Sequence, residues 1–266
     1  MRILCLNGWG GVLHEPLLAY LAQTQPDVLC LQEVTHTPWS HADWLIYRDP
    51  NRVLDQRAST LRDIRSVLPE HQWMFCPMAL GPLWDGDIEV TSHWGLATFV
   101  RQDIPVIGQR QDFVHGVFSP DGFGEEPRAR SAHGVRLFDP DTRKTVSITQ
   151  THGLRDPRGK IDTPERRAQV EALIALSASV SEPGDLRVIC GDLNVEPESE
   201  TLTRLKAAGF VDLVTSGDWP GTRTSHYTKP GRFADYMLID DPSMVEDFSV
   251  VYEPEMSDHC PLVLTL

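Results

Sequence analysis

Gly191-Asp192-Leu193-Asn194 sets a carboxylate and a carboxamide two residues apart, and Ser257-Asp258-His259 adds a second carboxylate and an imidazole near the C-terminus. Cleaving a phosphate ester with water requires an oriented water, a group that manages its proton, and donors for the charge gathering on the non-bridging oxygens. Each part has a candidate. Asp192 can accept a hydrogen bond from the attacking water, and Asn194 can hold water or phosphate through its amide. His259 can act with Asp235 as its orienting carboxylate, and His152 supplies a second imidazole donor. Glu33, Asp192, Asp235 and Asp258 gathered in one cleft would raise one another's pKa, and a bound cation removes that cost. Oxygen ligands without clustered cysteines favour Mg²⁺ or Mn²⁺ over zinc.

Each motif also has a plainer reading. Asn7 followed by Gly8 is a turn after a first strand, Glu33 and Asp235 are solvated carboxylates at strand edges, and His152 is structural. Asp192 with Asn194 is a polar turn as readily as a catalytic pair. Their joint occurrence at strand ends shifts the reading to function, because the separate structural explanations would all have to hold together.

Apolar runs bounded by turn residues predict strands at Ile3–Leu6, Val28–Leu31, Trp73–Phe75, Gly95–Val100, Val135–Phe138, Val146–Thr149 and Val188–Cys190. Three more follow at Tyr236–Ile239, Phe248–Tyr252 and Pro261–Leu266. Helical spacing predicts helices at Glu15–Gln25 and Leu54–Leu68, a third from Pro164 with Thr163 as its cap, and a fourth over about Glu198–Ala208, ended by Gly209. Four strands run into polar residues at their ends: Asn7, Gln32-Glu33, His152 and Asp192. Asp235 and Asp258-His259 instead precede their strands, so antiparallel placement would bring all six termini to one pocket. The pattern predicts two packed sheets flanked by helices, in a single domain over 1–266. Thr35–Asn51 reads as a polar-aromatic connection packed on the surface, and 77–87 and 119–127 as surface loops. Trp9 and Trp84 read as core or rim packing. Arg128, Arg130, Arg155, Arg158 and Lys160 read as exposed surface charge.

Composition bounds the function. With 41% hydrophobic and 23% charged residues the chain resembles an average soluble globular protein, against a disordered or fibrous reading. Its 24 basic residues against 38 acidic ones, a formal charge of −14, disfavour non-specific coating of DNA and leave compact phosphate substrates or nucleic-acid ends open. Cys5, Cys30 and Cys190 lie in apolar runs as buried thiols, and no CxxC pair suggests zinc. No apolar stretch reaches the roughly 18 residues of a membrane span, which predicts no membrane insertion. The N-terminal residues leave no room for a signal peptide, so cytoplasmic residence is the expectation.

Through Asn7, Leu31-Gln32-Glu33, His152, Gly191-Asp192-Leu193-Asn194, Asp235-Tyr236 and Ser257-Asp258-His259, the chain resembles the endonuclease/exonuclease/phosphatase superfamily over essentially its full length. The resemblance implies a four-layered α/β sandwich with two central mixed sheets, and divalent-metal-dependent cleavage of phosphate esters in nucleic acids, phospholipids or inositol phosphates. It implies Glu33 as principal metal ligand with Asn7 and Asp258, Asp192 and Asn194 as the water- and phosphate-positioning pair, and Asp235-His259 as a carboxylate-imidazole dyad. Either the aspartate or the histidine can serve as general base. Gly8 stands where many abasic-site endonucleases carry aspartate, and His152 where they carry tyrosine. The histidine is similar to that of deoxyribonuclease I-like, deadenylase-like and sphingomyelinase-like branches. The resulting expectation is a phosphodiesterase of the nuclease-like group. The alternatives are a phosphomonoesterase or lipid-headgroup hydrolase, and a silent binding module.

Overall fold

Residues 1–49 and 52–266 of the chain are described by a computed structural model. The strands are β1 Arg2–Asn7, β2 Val28–His36, β3 Trp44–Asp49, β4 Arg52–Arg57, β5 His71–Asp85, β6 Ile88–Arg101, β7 Val106–His115, β8 Arg130–Phe138, β9 Thr145–His152, β10 Leu186–Asp192, β11 Val211–Asp212, β12 Asp235–Ile239, β13 Asp247–Val250 and β14 Leu262–Thr265. The helices are α1 His14–Thr24, α2 Thr60–Val67, α3 Pro164–Val180 and α4 Glu200–Ala207. One mixed sheet has the order β13-β14-β1-β2-β6-β5-β3-β4 and the other β11-β12-β10-β9-β8-β7.

Period-two alternation along β1 and β2 explains the layering. Ile3, Cys5, Val28 and Cys30 point between the sheets and pack with Val135, Ile148, Val188 and Cys190 of the second sheet. The intervening Leu4, Leu6, Leu29 and Leu31 point the other way, under Leu17 and Leu21 of α1 and Leu61 and Ile64 of α2. With both faces covered, these strands read as continuous apolar runs rather than alternating ones. Val170, Leu173 and Leu176 of α3 cover the second sheet. The result is helix, sheet, sheet, helix: the four-layered α/β sandwich. Thr163 caps α3 by accepting from Arg166 N at 3.2 Å, as its place before Pro164 predicts.

Several elements depart from expectation. The connection over 35–51 contains strand β3, and the predicted helix over 54–68 begins only at Thr60, because Arg52–Arg57 pair with β3 residue for residue. Ser59 then caps α2 through Arg62 N. The helical spacing of Leu54 and Ala58 with Leu61 is coincidental: Ala58 and Leu54 pack with Leu45 of β3 and Leu83 of β5 instead. Pro50 and Asn51, the end of that connection, lie outside the described residues. The stretch 77–87, read as a loop, continues β5 to Asp85, its Pro77 accommodated at a bulge in the long β5–β6 hairpin. Strand β7 gave no apolar run because it is a largely exposed edge strand.

Candidate active site

The strand pairings carry the polar termini to one end of the sandwich. β1 and β2 run parallel with Asn7 beside Gln32, and β9 and β10 run parallel with His152 beside Asp192. β12 lies antiparallel to β10, so its first residue, Asp235, pairs with Asp192, the last of β10. β14 lies antiparallel to β1, which brings Asp258-His259 to the same end. Gly191 permits the close approach of β10 to β9: its φ is +141°, and a Cβ there would sit 1.9 Å from Thr151 O.

The side chains of all eight sequence-predicted residues converge. Asn7 Nδ2 donates to Asp192 Oδ2 at 3.1 Å, and Asn7 Oδ1 accepts from Trp9 N at 3.0 Å. Asp192 Oδ1 accepts from Asn194 N at 2.9 Å, and Asn194 Nδ2 donates to Gly153 O at 3.3 Å. His259 Nδ1 lies 2.9 and 2.8 Å from the two oxygens of Asp235, and its Nε2 lies 3.6 Å from Asp192 Oδ2. His152 Nε2 lies 3.6 Å from Asp192 Oδ2 and 4.0 Å from Glu33 Oε1. Ser257 Oγ ties the sheet ends together, donating to Asn7 O at 2.6 Å and accepting from His259 N at 3.2 Å. Glu33 and Asn194 hold left-handed backbones, φ +56° and +53°, a conformation that costs energy in residues other than glycine and concentrates at functional positions. Glu33 adopts it where a bulge interrupts the pairing of β2 with β6.

Burial dominates the electrostatics. It pushes Glu33 up to about 7, helped by the negative charges of Asp258 and Asp192 and opposed by a hydrogen bond from Asn7. It pushes Asp235 up to about 7 as well, with Arg223 opposing. Burial and then Arg223 bring His259 down to about 4, and burial and then Arg130 hold His152 well below the usual imidazole range. Both imidazoles are therefore neutral near pH 7. His259 Nδ1 faces Asp235, while its Nε2 faces the Arg223 Nη1 donor and lies 3.6 Å from Asp192 Oδ2.

Asp192, Asp235 and His259 present ligand atoms within 4.8 Å of one another. Both Asp235 oxygens are engaged by His259, so those two are a hydrogen-bonded pair first, with Asp192 Oδ2 3.6 Å from His259 Nε2. Glu33, Asp258 and Asn7 form a hard oxygen set beside it, with no thiol, since all five cysteines are buried free thiols elsewhere. Burial first, and then the charges of Asp258 and Asp192, disfavour the Glu33 carboxylate, a cost a cation would relieve, so these residues fit a divalent ion.

The cleft above this cluster has a volume of about 200 Å³. Tyr47, Asp49, Arg52, Leu54 and Gln56 of the β3–β4 hairpin wall one part of it, and Arg223 with His226–Lys229 another. Arg130 is buried and donates to Gly153 O at 2.9 Å, which corrects its reading as surface charge. Arg128 is half-buried and donates to Tyr47 Oη at 3.1 Å. Arg155 lines the cleft but is exposed. Arg158 and Lys160 pair with Asp156 and Glu196. Sequence reasoning missed Arg223, which is 6% exposed and donates to Asp258 Oδ2 at 3.1 Å.

A two-sheet sandwich with carboxylate, amide and imidazole groups gathered at its strand ends is the architecture of a phosphoester-cleaving class of protein. The chain belongs to the Endonuclease/Exonuclease/phosphatase family, which it matches over residues 6–259. Members are mostly hydrolases of phosphate esters, nucleases and phosphatases among them, and generally use divalent metal ions. Among curated proteins no relative matches the sequence. Among solved structures, the mannosyl-6-phosphatase of Bacteroides thetaiotaomicron VPI-5482 is 14% identical with TM-score 0.70, covering 100% of this chain and 98% of that one. The human Nocturnin catalytic domain with bound sulfate anion is 18% identical with TM-score 0.67, covering 99% and 93%. A family protein from Leptotrichia buccalis C-1013-b is 14% identical with TM-score 0.68, covering 100% and 99%. At these identities the likeness is one of fold. No helix among the described residues is long and apolar enough to cross a membrane.

Proposed function

We propose that this chain is a divalent-metal-dependent phosphoesterase whose metal is held by Glu33, Asn7 and Asp258. The observation that carries the reading is the chain Asp235–His259–Asp192, with His259 Nε2 3.6 Å from Asp192 Oδ2, set beside the raised carboxyl of Glu33. Asp235 fixes the ring of His259, and either Asp192 or His259 Nε2, which Arg223 Nη1 also contacts, would take the proton of the attacking water. Asp192 is itself held by Asn7 Nδ2 and Asn194 N, which fixes the direction of its acceptor oxygens. The Asn194 amide and His152 Nε2–H would donate to phosphoryl oxygens as charge builds there. A bound Mg²⁺ or Mn²⁺ would add Lewis-acid neutralisation of that charge.

We read the substrate as a phosphodiester of the nuclease-like group. A second reading, hydrolysis of a phosphate monoester or of a lipid-headgroup or inositol phosphate, is favoured by the size of the cleft. At about 200 Å³ it is smaller than the roughly 300–1,000 Å³ of sites for drug-sized ligands, which suits a compact substrate. The mannosyl-6-phosphatase among the fold relatives points the same way.

The test is a panel of bis(4-nitrophenyl) phosphate, 4-nitrophenyl phosphate, oligonucleotides, sugar and inositol phosphates, and phospholipids, each with Mg²⁺, Mn²⁺ or chelator. Chelator-sensitive turnover is expected. Turnover confined to monoesters would replace the first reading by the second, and no turnover of any ester would leave a binding module.

A further inference from the structure

Arg223 is buried, as Arg57, Arg130 and Arg166 are, but its guanidinium lies against Asp258, His259 and Asp192. Arg158, Arg167 and Arg204 have side chains at least 41% exposed and pair with carboxylates near the surface, whereas the Arg223 side chain is 7% exposed and sits within the acid-imidazole cluster. A buried cation needs compensation, and the fold supplies it. Nη1 donates to Asp258 Oδ2 at 3.1 Å and contacts His259 Nε2, while Nη2 lies 4.0 Å from Asp192 Oδ2. The Tyr227 ring lies under the guanidinium, its centroid 4.3 Å from Cζ.

Its backbone is anchored to the segment that carries Asp258 and His259. Arg223 forms a bridge with His259, Thr224 N donates to Asp258 O at 3.2 Å, and Cys260 N donates to Thr222 O at 2.8 Å. Thr224 Oγ1 adds a bond to Ser257 O at 2.7 Å, and Arg232 donates to Arg223 O. Thr222 Oγ1 in turn accepts from Ala234 N and Asp235 N at 3.0 and 3.1 Å. One short ladder therefore sets Arg223, Asp235, Asp258 and His259 relative to each other.

A guanidinium has five N–H donors in a fixed fork. Among the described residues Nη2 makes no hydrogen bond, and Nε is buried without an acceptor. A plain counter-ion would spend its fork on the carboxylate it neutralises, as Arg136 does with two bonds of 2.7 and 3.0 Å to Asp185. Arg223 instead makes one bond to Asp258 and one to His259 Nε2 from Nη1, and keeps Nη2 at the edge of Asp192.

Resting on the phosphoesterase reading, we infer that Arg223 is a further catalytic residue, whose guanidinium binds a non-bridging oxygen of the phosphoryl group beside His259 and Asp192. It supplies positive charge that remains in place whether or not the metal is bound. Removing one such donor from a developing oxyanion typically costs about 10²–10³ in kcat.

The test is calorimetric titration of inorganic phosphate into the Mg²⁺-saturated protein, wild type against Arg223→Met and Arg223→Lys, with Mn²⁺ titrated alone in parallel. The expected result is phosphate affinity at least about tenfold weaker in Arg223→Met and intermediate in Arg223→Lys, whether or not loss of the Asp258 partner also tightens Mn²⁺. Thermal melts establish folding; if Arg223→Met does not fold, Arg223→Lys carries the comparison. Unchanged phosphate affinity with tighter Mn²⁺ binding would make Arg223 a counter-ion for the carboxylates and overturn the inference. So would a wild type that binds no phosphate. If the wild type binds phosphate through Arg223 yet turns over no ester, the inference stands and the phosphoesterase reading falls.

Discussion

At the floor of the cleft, Asn7, Asp192, Asp235 and His259 are all nearly inaccessible, and each is the end of a strand or is hydrogen-bonded to one. At the rim, Arg52, Arg155, His226 and Lys229 are exposed and come from the β3–β4 hairpin and from loops. The floor is placed by backbone pairing, in which a shift of one residue would turn every side chain to the opposite face. The hairpin at the rim is paired within itself but joins β5 at one register position, Ile46 with Trp84, and is held further by side-chain contacts such as Arg128 with Tyr47. On the proposed function, chemistry would sit where geometry is over-determined and selectivity where it is adjustable.

Substitutions at the two levels should separate in kinetics. Asp192→Ala and His259→Ala are each expected to lower turnover at least about a hundredfold, the scale of lost acid-base or electrostatic participation. Initial-rate measurements giving near-wild-type values for either variant would remove that residue from the mechanism. Arg128→Ala, which cuts a rim contact, is expected to raise KM by up to about tenfold with kcat nearly constant, the pattern of lost uniform binding. A matching fall in kcat would erase the distinction between floor and rim.

Behind the floor, a polar ladder crosses between the sheets. Gln32 Nε2 donates to Gln150 Oε1 at 2.9 Å, Gln150 Nε2 to Thr98 Oγ1 at 2.8 Å, and Thr98 Oγ1 meets His133 Nδ1 at 2.7 Å. Burial lowers His133 from 6.5 to about 4, so the folded protein binds fewer protons there than the unfolded chain between those values. The stabilising contribution is complete above about pH 6.5 and is lost as pH falls toward 4, up to about 3 kcal/mol. Denaturant melts should show His133→Gln with a flatter acid limb than wild type over that window. Identical pH slopes would mean that His133 titrates normally in the folded protein.

Much of the floor was legible in the sequence because apolar runs stop at polar residues: Leu6 before Asn7, Leu31 before Gln32-Glu33, and Cys190-Gly191 before Asp192. Strand direction then carries those residues to one end, and the antiparallel approach of Asp235 and of Asp258-His259 follows from their standing before rather than after their strands. Arg223 left no such trace. Thr222-Arg223-Thr224 reads as an ordinary polar loop, and its meaning comes from a ladder with Ser257–Cys260 formed only in the folded chain. The β3–β4 hairpin was obscured for a related reason: Leu54 and Ala58 share helical spacing with Leu61, and only pairing with Trp44–Asp49 makes the first half of that stretch a strand. Local pattern identifies what long-range pairing merely assembles, and fails where long-range pairing decides the structure.

The proposed divalent ion would bind at Glu33 within this cluster. Calorimetric titration of Mn²⁺ into the wild type and into Glu33→Gln tests it most directly. The expected result is one set of sites in the wild type, weakened at least about tenfold in the variant, since the neutral amide removes the charge that a hard cation prefers. Equal Mn²⁺ affinity in the two proteins, or no binding by the wild type, would contradict it.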